Sequence, residues 1–145
     1  MMNRFLLSMV LFVAAFEAVA TDAVEFDYMM NCQGCHLPDG AGFPAHNVPA
    51  VAGNLGNFLG VDGGREFLVQ VPGSAQSDLD DARLAAVLNW MLVSFSAEQL
   101  PADWQHYSAA EVHELRKTPL IEVTPLRAAL MDLIEVKQQT GGTGR

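Results

Sequence analysis

The chain has 145 residues, half of them hydrophobic, and a formal net charge of −9. That is one domain's worth of chain with enough apolar side chains for a real core. The negative charge excludes nucleic acid, whose phosphates would be repelled, and suits a protein partner that presents a basic docking patch.

Residues 1–20 read as a cleaved secretory signal. Arg4 supplies the positive start, Phe5 to Phe16 is an almost unbroken apolar run, and Ala18-Val19-Ala20 is a small-x-small cleavage site. The run is short of the roughly 20 apolar residues of a transmembrane anchor, and Glu17 interrupts it. No later stretch is long and apolar enough to cross a bilayer. The expected mature chain begins near Thr21 and is periplasmic, with no anchor left after cleavage.

A short helix is expected over Asp22 to Asn31, with Phe26 and Met30 sharing a face and Met29 adjoining it. It runs into Cys32-Gln33-Gly34-Cys35-His36, the attachment sequence of a c-type haem. The two sulfurs can add to the porphyrin vinyl groups, and the adjacent imidazole can meet the iron. A helical turn would put both thiols under one edge of the ring. Outside the cytosol two thiols usually pair, so a thioredoxin-like redox couple is an alternative. That reading wants a βαβ setting, and no strand-like alternation precedes Cys32. Zinc wants about four ligands, and a second cysteine pair is missing.

Beyond the motif, Leu37-Pro38-Asp39-Gly40-Ala41-Gly42 is a turn whose glycines permit positive φ. His46 falls in the loop Phe43 to Gly53 and reads as an exposed loop histidine. Gly60-Val61-Asp62-Gly63-Gly64-Arg65 lacks the spacing and the preceding strand of a phosphate cradle. It leads to a helix from Arg65 to Val71, stopped by Pro72-Gly73. A longer helix is expected from Leu79 to Phe95, capped by Asp78 or Ser77, with Leu84, Val87, Leu88, Met91 and Leu92 on its apolar face.

Past Phe95 comes a connector with aromatic anchors Trp104 and Tyr107. Ser108-Ala109-Ala110-Glu111 reads as a capping box opening a helix to about Lys117. Thr124-Pro125 opens a last helix to about Gln138, with Leu126, Leu130, Leu133 and Ile134 on its apolar face. A disordered tail is expected over 139–145. His106 and His113 are read as structural and surface residues.

Residues 22 to 96 resemble a class I cytochrome c, most strongly through the Cys32–His36 motif and the Asp39-Gly40-Ala41-Gly42 turn that follows it. The resemblance implies an all-α cytochrome c fold around one haem c per chain. The parts would be a signal at 1–20, a haem domain at 21–98, a helical C-terminal extension at 99–138 packing on the core or a partner, and the tail. It also implies that Cys32 and Cys35 hold the haem by thioethers, and that His36 is the proximal iron ligand with the Pro49 region placing a carbonyl near its free nitrogen. Trp90 falls where the family has an aromatic packed on the first helix.

The chain departs from the family in one place. The loop before the closing helix, where the family carries a methionine ligand, reads Pro72-Gly73-Ser74-Ala75-Gln76-Ser77-Asp78. From Asn47 to Trp90 there is no Met, His, Lys or Cys. Met91 is the candidate sixth ligand, against plain core packing; Met29 and Met30 sit too near the attachment edge. The function the resemblance implies is that of a non-enzymatic periplasmic carrier of single electrons between a dehydrogenase and a downstream cytochrome or oxidase. The alternative is an open distal site that binds a small gas or reduces peroxide, with Gln70, Gln76 and Asn54 as its polar candidates.

Overall fold

A computed structural model describes residues 23–141; the expected signal segment and positions 142–145 of the expected tail lie outside them. Among the described residues the regular structure is helical, apart from one antiparallel bridge between Phe43 and Val48. The helices are α1 (23–31), α2 (Gln33–His36), α3 (Leu55–Phe58), α4 (Gly64–Gln70), α5 (Pro72–Ala75), α6 (Asp81–Ser96), α7 (Ala109–Leu115) and α8 (Val123–Gly141), with 3-10 turns at Pro44–His46 and Ala97–Gln99. No helix among the described residues is long and apolar enough to cross a membrane.

Helix α6 is the spine. Leu84, Val87, Leu88, Met91 and Leu92 recur at helical spacing and are buried. Its cap is Asp80, whose carboxylate accepts from the Arg83 N–H at 2.8 Å, and not Ser77 or Asp78. The helix starts late because the carbonyls of Ser77 and Leu79 are drawn instead to the Arg116 guanidinium. Pro72 ends α4 and also opens α5, since its fixed φ suits the first position of a helix.

Helix α1 meets α6 through Tyr28, not through the expected face. Tyr28 is 1% exposed, whereas Phe26 and Met30 are 57% and 67% exposed. The Tyr28 ring lies 5.1 Å from Trp90 and 5.2 Å from Phe95, an aromatic cluster that buries a large apolar area. Asp27, on the same buried side, accepts from Nε and Nη2 of the Arg83 guanidinium and ties α1 to the start of α6.

The C-terminal segment shares the same core. Tyr107, Val112, Leu130 and Ile134 join the buried cluster built on α6. Asn89 on α6 accepts from the Tyr107 N–H at 2.8 Å and donates to the Tyr107 carbonyl at 3.0 Å. Arg65 lies over the Tyr107 ring, at 4.1 Å, and forks onto Glu111. The capping box at Ser108 is therefore half formed: Ser108 accepts from the Glu111 N–H at 3.2 Å, while the Glu111 side chain goes to Arg65. Helix α7 ends at Leu115, and α8 runs on to Gly141, past the expected Gln138. On α8 only part of the expected face is used. Leu130 and Ile134 are buried, but Leu126 and Leu133 are 37% and 50% exposed, because α8 meets the core along a line narrower than its apolar arc.

Candidate functional site

Cys32, Cys35 and His36 share one helical turn. The Cys32 N–H bonds the Tyr28 carbonyl at 2.8 Å, and the His36 N–H bonds the Cys32 carbonyl at 3.0 Å, so the motif continues the winding of α1. Both cysteines are free thiols, Cys32 half-buried and Cys35 exposed. Burial, reinforced by the charge of Asp27 and by Cys35, pushes the Cys32 thiol up to about 11. A disulfide-exchange site needs the opposite, a thiol whose pKa is lowered toward neutrality.

The His36 ring is partly buried, and burial holds its pKa below the ordinary value, outweighing the opposing pull of the Pro49 carbonyl. It is neutral near pH 7, the form that can donate to a metal. Its Nδ1 is buried without a partner at hydrogen-bonding geometry, and it alone among the buried side-chain nitrogens and oxygens of the described residues lacks one. The Pro49 carbonyl lies close enough to the ring to oppose the lowering of its pKa. Gly42 keeps Pro49 in place: with φ +70° it lies so close that a Cβ there would fall 2.5 Å from the Pro49 carbonyl carbon and oxygen.

The chain leaves the motif under strain. Leu37 has φ 65° and ψ 163°, a region that side chains avoid. Tyr28 holds it there, donating its hydroxyl to the Leu37 carbonyl at 2.5 Å. Met29, Met30, Leu37 and Phe43, which flank the motif in the chain, are at least 36% exposed. Exposed apolar side chains gathered around one motif mark a binding surface. Beside the turn lies a recess of about 470 Å³ lined by Met30, Asn31 and residues of the 72–78 segment, Gln76 and Ser77 among them.

These features fit a haem. Two unpaired thiols one turn apart match two vinyl groups, a neutral imidazole with a backbone carbonyl close by adjoins them, and exposed apolar groups flank the turn. The remaining candidates have the following surroundings. Met91 is 5% exposed within the α6 core. His46 is exposed and stacks on Phe43, with ring centres 4.4 Å apart. His106 is exposed against Trp104, and His113 is exposed with its Nδ1 2.8 Å from Asp81. Of the polar distal candidates, Gln76 lines the recess. Gln70 bonds Thr118 at 2.9 Å, and Asn54 bonds the Ala52 carbonyl at 3.0 Å.

No family model and no solved structure matches the chain. Among curated proteins, it is 30% identical over 107 residues to cytochrome c-552 of Thermus thermophilus, covering 61% of this chain and 81% of that protein. A cytochrome c-552 of a particular Thermus thermophilus strain matches at the same identity, with 72% of its length covered. The chain belongs to the c-type cytochromes. Its all-helical architecture is the cytochrome c fold that this membership implies.

Three residues that tie the fold together were not singled out from the sequence. Tyr28 carried a signal in its position, one turn before Cys32. Asn89 carried one as the polar residue inside the run Val87-Leu88-Asn89-Trp90-Met91-Leu92. Arg116 carried none, since its partners lie 35 to 41 residues away in the chain and, Asp81 apart, are backbone carbonyls.

Proposed function

We propose that this cytochrome carries single electrons through one haem c, linked at Cys32 and Cys35 by thioethers and ligated by His36. The observation that carries the reading is the attachment turn itself: two free thiols and a neutral imidazole on one helical turn. The relationship to the two cytochromes c-552 supports it. When bound, the haem supplies a ferric–ferrous couple. The chain's own residues then do the rest. The α1–α2 winding fixes both sulfurs, Tyr28 anchors the turn to α6, and the Pro49 carbonyl orients the His36 ring. No bond need form or break for an electron to pass, so what the protein contributes is rigidity and exclusion of water.

The site of action is the periplasm, reached by the signal at 1–20, and the C-terminal segment 99–138 is an addition to the haem domain at 21–98. Its partners are a periplasmic dehydrogenase and a downstream cytochrome or oxidase; with a net charge of −9, a basic patch on the partner is the natural docking surface. Met91 is the candidate sixth ligand of this reading.

A second reading rests on one observation: the 72–80 segment lining the recess contains no methionine or histidine. An iron left open there would bind a small gas or reduce peroxide. The ferric and ferrous absorption spectra of the exported protein decide between the two. Low-spin spectra and indifference to carbon monoxide are expected; high-spin bands with ready carbon monoxide binding would overturn the carrier.

A further inference from the structure

The segment from Pro72 to Asp80 forms one side of the recess beside the attachment turn, facing Met30 and Asn31, the two residues before Cys32. Little in the segment holds it there. Ala75 and Leu79 are buried, but Gly73, Gln76, Asp78 and Asp80 are exposed. Its N–H groups close on its own turns, as in Gln76 N–H to the Pro72 carbonyl at 3.0 Å. Three of its carbonyls, those of Ala75, Ser77 and Leu79, turn the other way and converge on a single side chain.

That side chain is Arg116, on the turn after α7. Its Nε and Nη2 donate to the Ala75 carbonyl at 3.2 and 3.1 Å. Nη2 also donates to Ser77 at 2.9 Å, and Nη1 to the Leu79 carbonyl at 2.8 Å and to the Asp81 carboxylate at 3.0 Å. All five guanidinium N–H groups are thereby used. The side chain is 17% exposed, so these charge-assisted bonds are little diluted by water. Lysine, with three donors on a point-like head, cannot reproduce the fork. Arg116 is in turn fixed by its helix, because Val112 is fully buried against α6.

We infer that Arg116 is a positioning residue, by which the C-terminal segment holds residues 72–80 as a fixed wall beside the haem-attachment turn and so limits entry of small ligands to the iron. The inference rests on the reading of Cys32, Cys35 and His36 as the haem site. Without the fork, three carbonyls must find water and the wall opens more often.

The test uses the holoprotein and imidazole as the entering ligand. Arg116→Met should raise the ferric imidazole-binding rate about tenfold, equivalent to about 1.4 kcal/mol less cost of opening. Hydrogen exchange at the Ser74 to Ser77 amides should quicken by a similar factor, and Arg116→Lys should fall between parent and Met. Arg65→Met is the control: it removes the contacts to Glu111 and Tyr107 but none to the segment, so for a similar loss of unfolding midpoint it should raise the imidazole rate much less than Arg116→Met. Unchanged imidazole binding and exchange in both Arg116 variants would overturn the inference. An equal rise in the Arg65 and Arg116 variants would overturn it too, since it would reflect general loosening. Failure of the haem reading is separately visible: the parent would then give no thioether-type pyridine haemochrome.

Discussion

Replacing Asn89 probes how tightly the C-terminal segment is held to the haem-bearing part of the chain. The Asn89 amide makes two bonds to the Tyr107 backbone, at 2.8 and 3.0 Å, and Tyr107 is only 3% exposed. Asn89→Ala leaves a buried N–H and a buried carbonyl without partners. Each costs about 1–3 kcal/mol when fully buried. Asn89 itself is half-buried, so water replaces part of the loss and the lower half of the range applies. The expected destabilisation is about 2–4 kcal/mol for the two groups together, a sizeable share of the roughly 5–15 kcal/mol that holds a typical domain folded. Urea denaturation of the holoprotein, followed by far-ultraviolet circular dichroism, reads it directly. Asn89→Asp sharpens the assay: it keeps the acceptor for the Tyr107 N–H but sets a carboxylate against the Tyr107 carbonyl, so it should destabilise at neutral pH by at least as much as alanine. A loss under about 0.5 kcal/mol in both variants, within the range of an ordinary surface change, would refute the idea that this clamp docks the segment.

Gly42→Ala should cost about 2–4 kcal/mol, combining a left-handed backbone with a Cβ 2.5 Å from the Pro49 carbonyl; thermal unfolding measures it, and an unchanged midpoint would contradict the close approach. The Glu111 carboxyl is held below its ordinary value of 4.5, chiefly by its hydrogen bonds to Arg65. A depressed carboxylate stabilises fully above its unfolded pKa and loses that contribution as pH falls through the folded one. Glu111→Gln should therefore flatten the decline of the unfolding midpoint below about pH 4.5, and a parallel decline in parent and variant would count against it. Met91→Leu keeps core volume, so it should cost under about 1.5 kcal/mol, and a switch of the ferric spectrum to high spin would identify Met91 as the sixth ligand, whereas an unaltered spectrum leaves it as packing. Cys35→Ser should leave only the Cys32 thioether and one free vinyl group, so the pyridine haemochrome band should move to that of a singly linked haem, and an unchanged band would sink the two-thioether assignment.

The attachment turn was legible because its chemistry is local: five consecutive residues carry the whole pattern, and a helical turn follows from their spacing. The α6 face was legible for the same reason, as a 3.6-residue rhythm of Leu84, Val87, Leu88, Met91 and Leu92. What escaped the sequence was pairing across distance. Phe26 and Met30 satisfy helical periodicity as well as Tyr28 does, and only the position of Trp90 and Phe95 decides which face goes inward. The α6 cap moved to Asp80 because Arg116 competes for the carbonyls just before it, a contest invisible in local propensities. Glu111 satisfied a capping-box pattern and yet spent its carboxylate on Arg65, 46 residues away.

The Arg116 fork carries a consequence for the order in which the molecule assembles. The bonds that wind Cys32 and His36 into one turn close over four residues, from Cys32 to Tyr28 and from His36 to Cys32. The bonds that set the recess wall close over separations of 35 to 41 residues and need α7 in place. Closing long loops is entropically costlier and slower than winding one turn. The thiol-bearing turn can thus wind before the recess wall is set, which leaves that side of the turn open until the C-terminal residues dock.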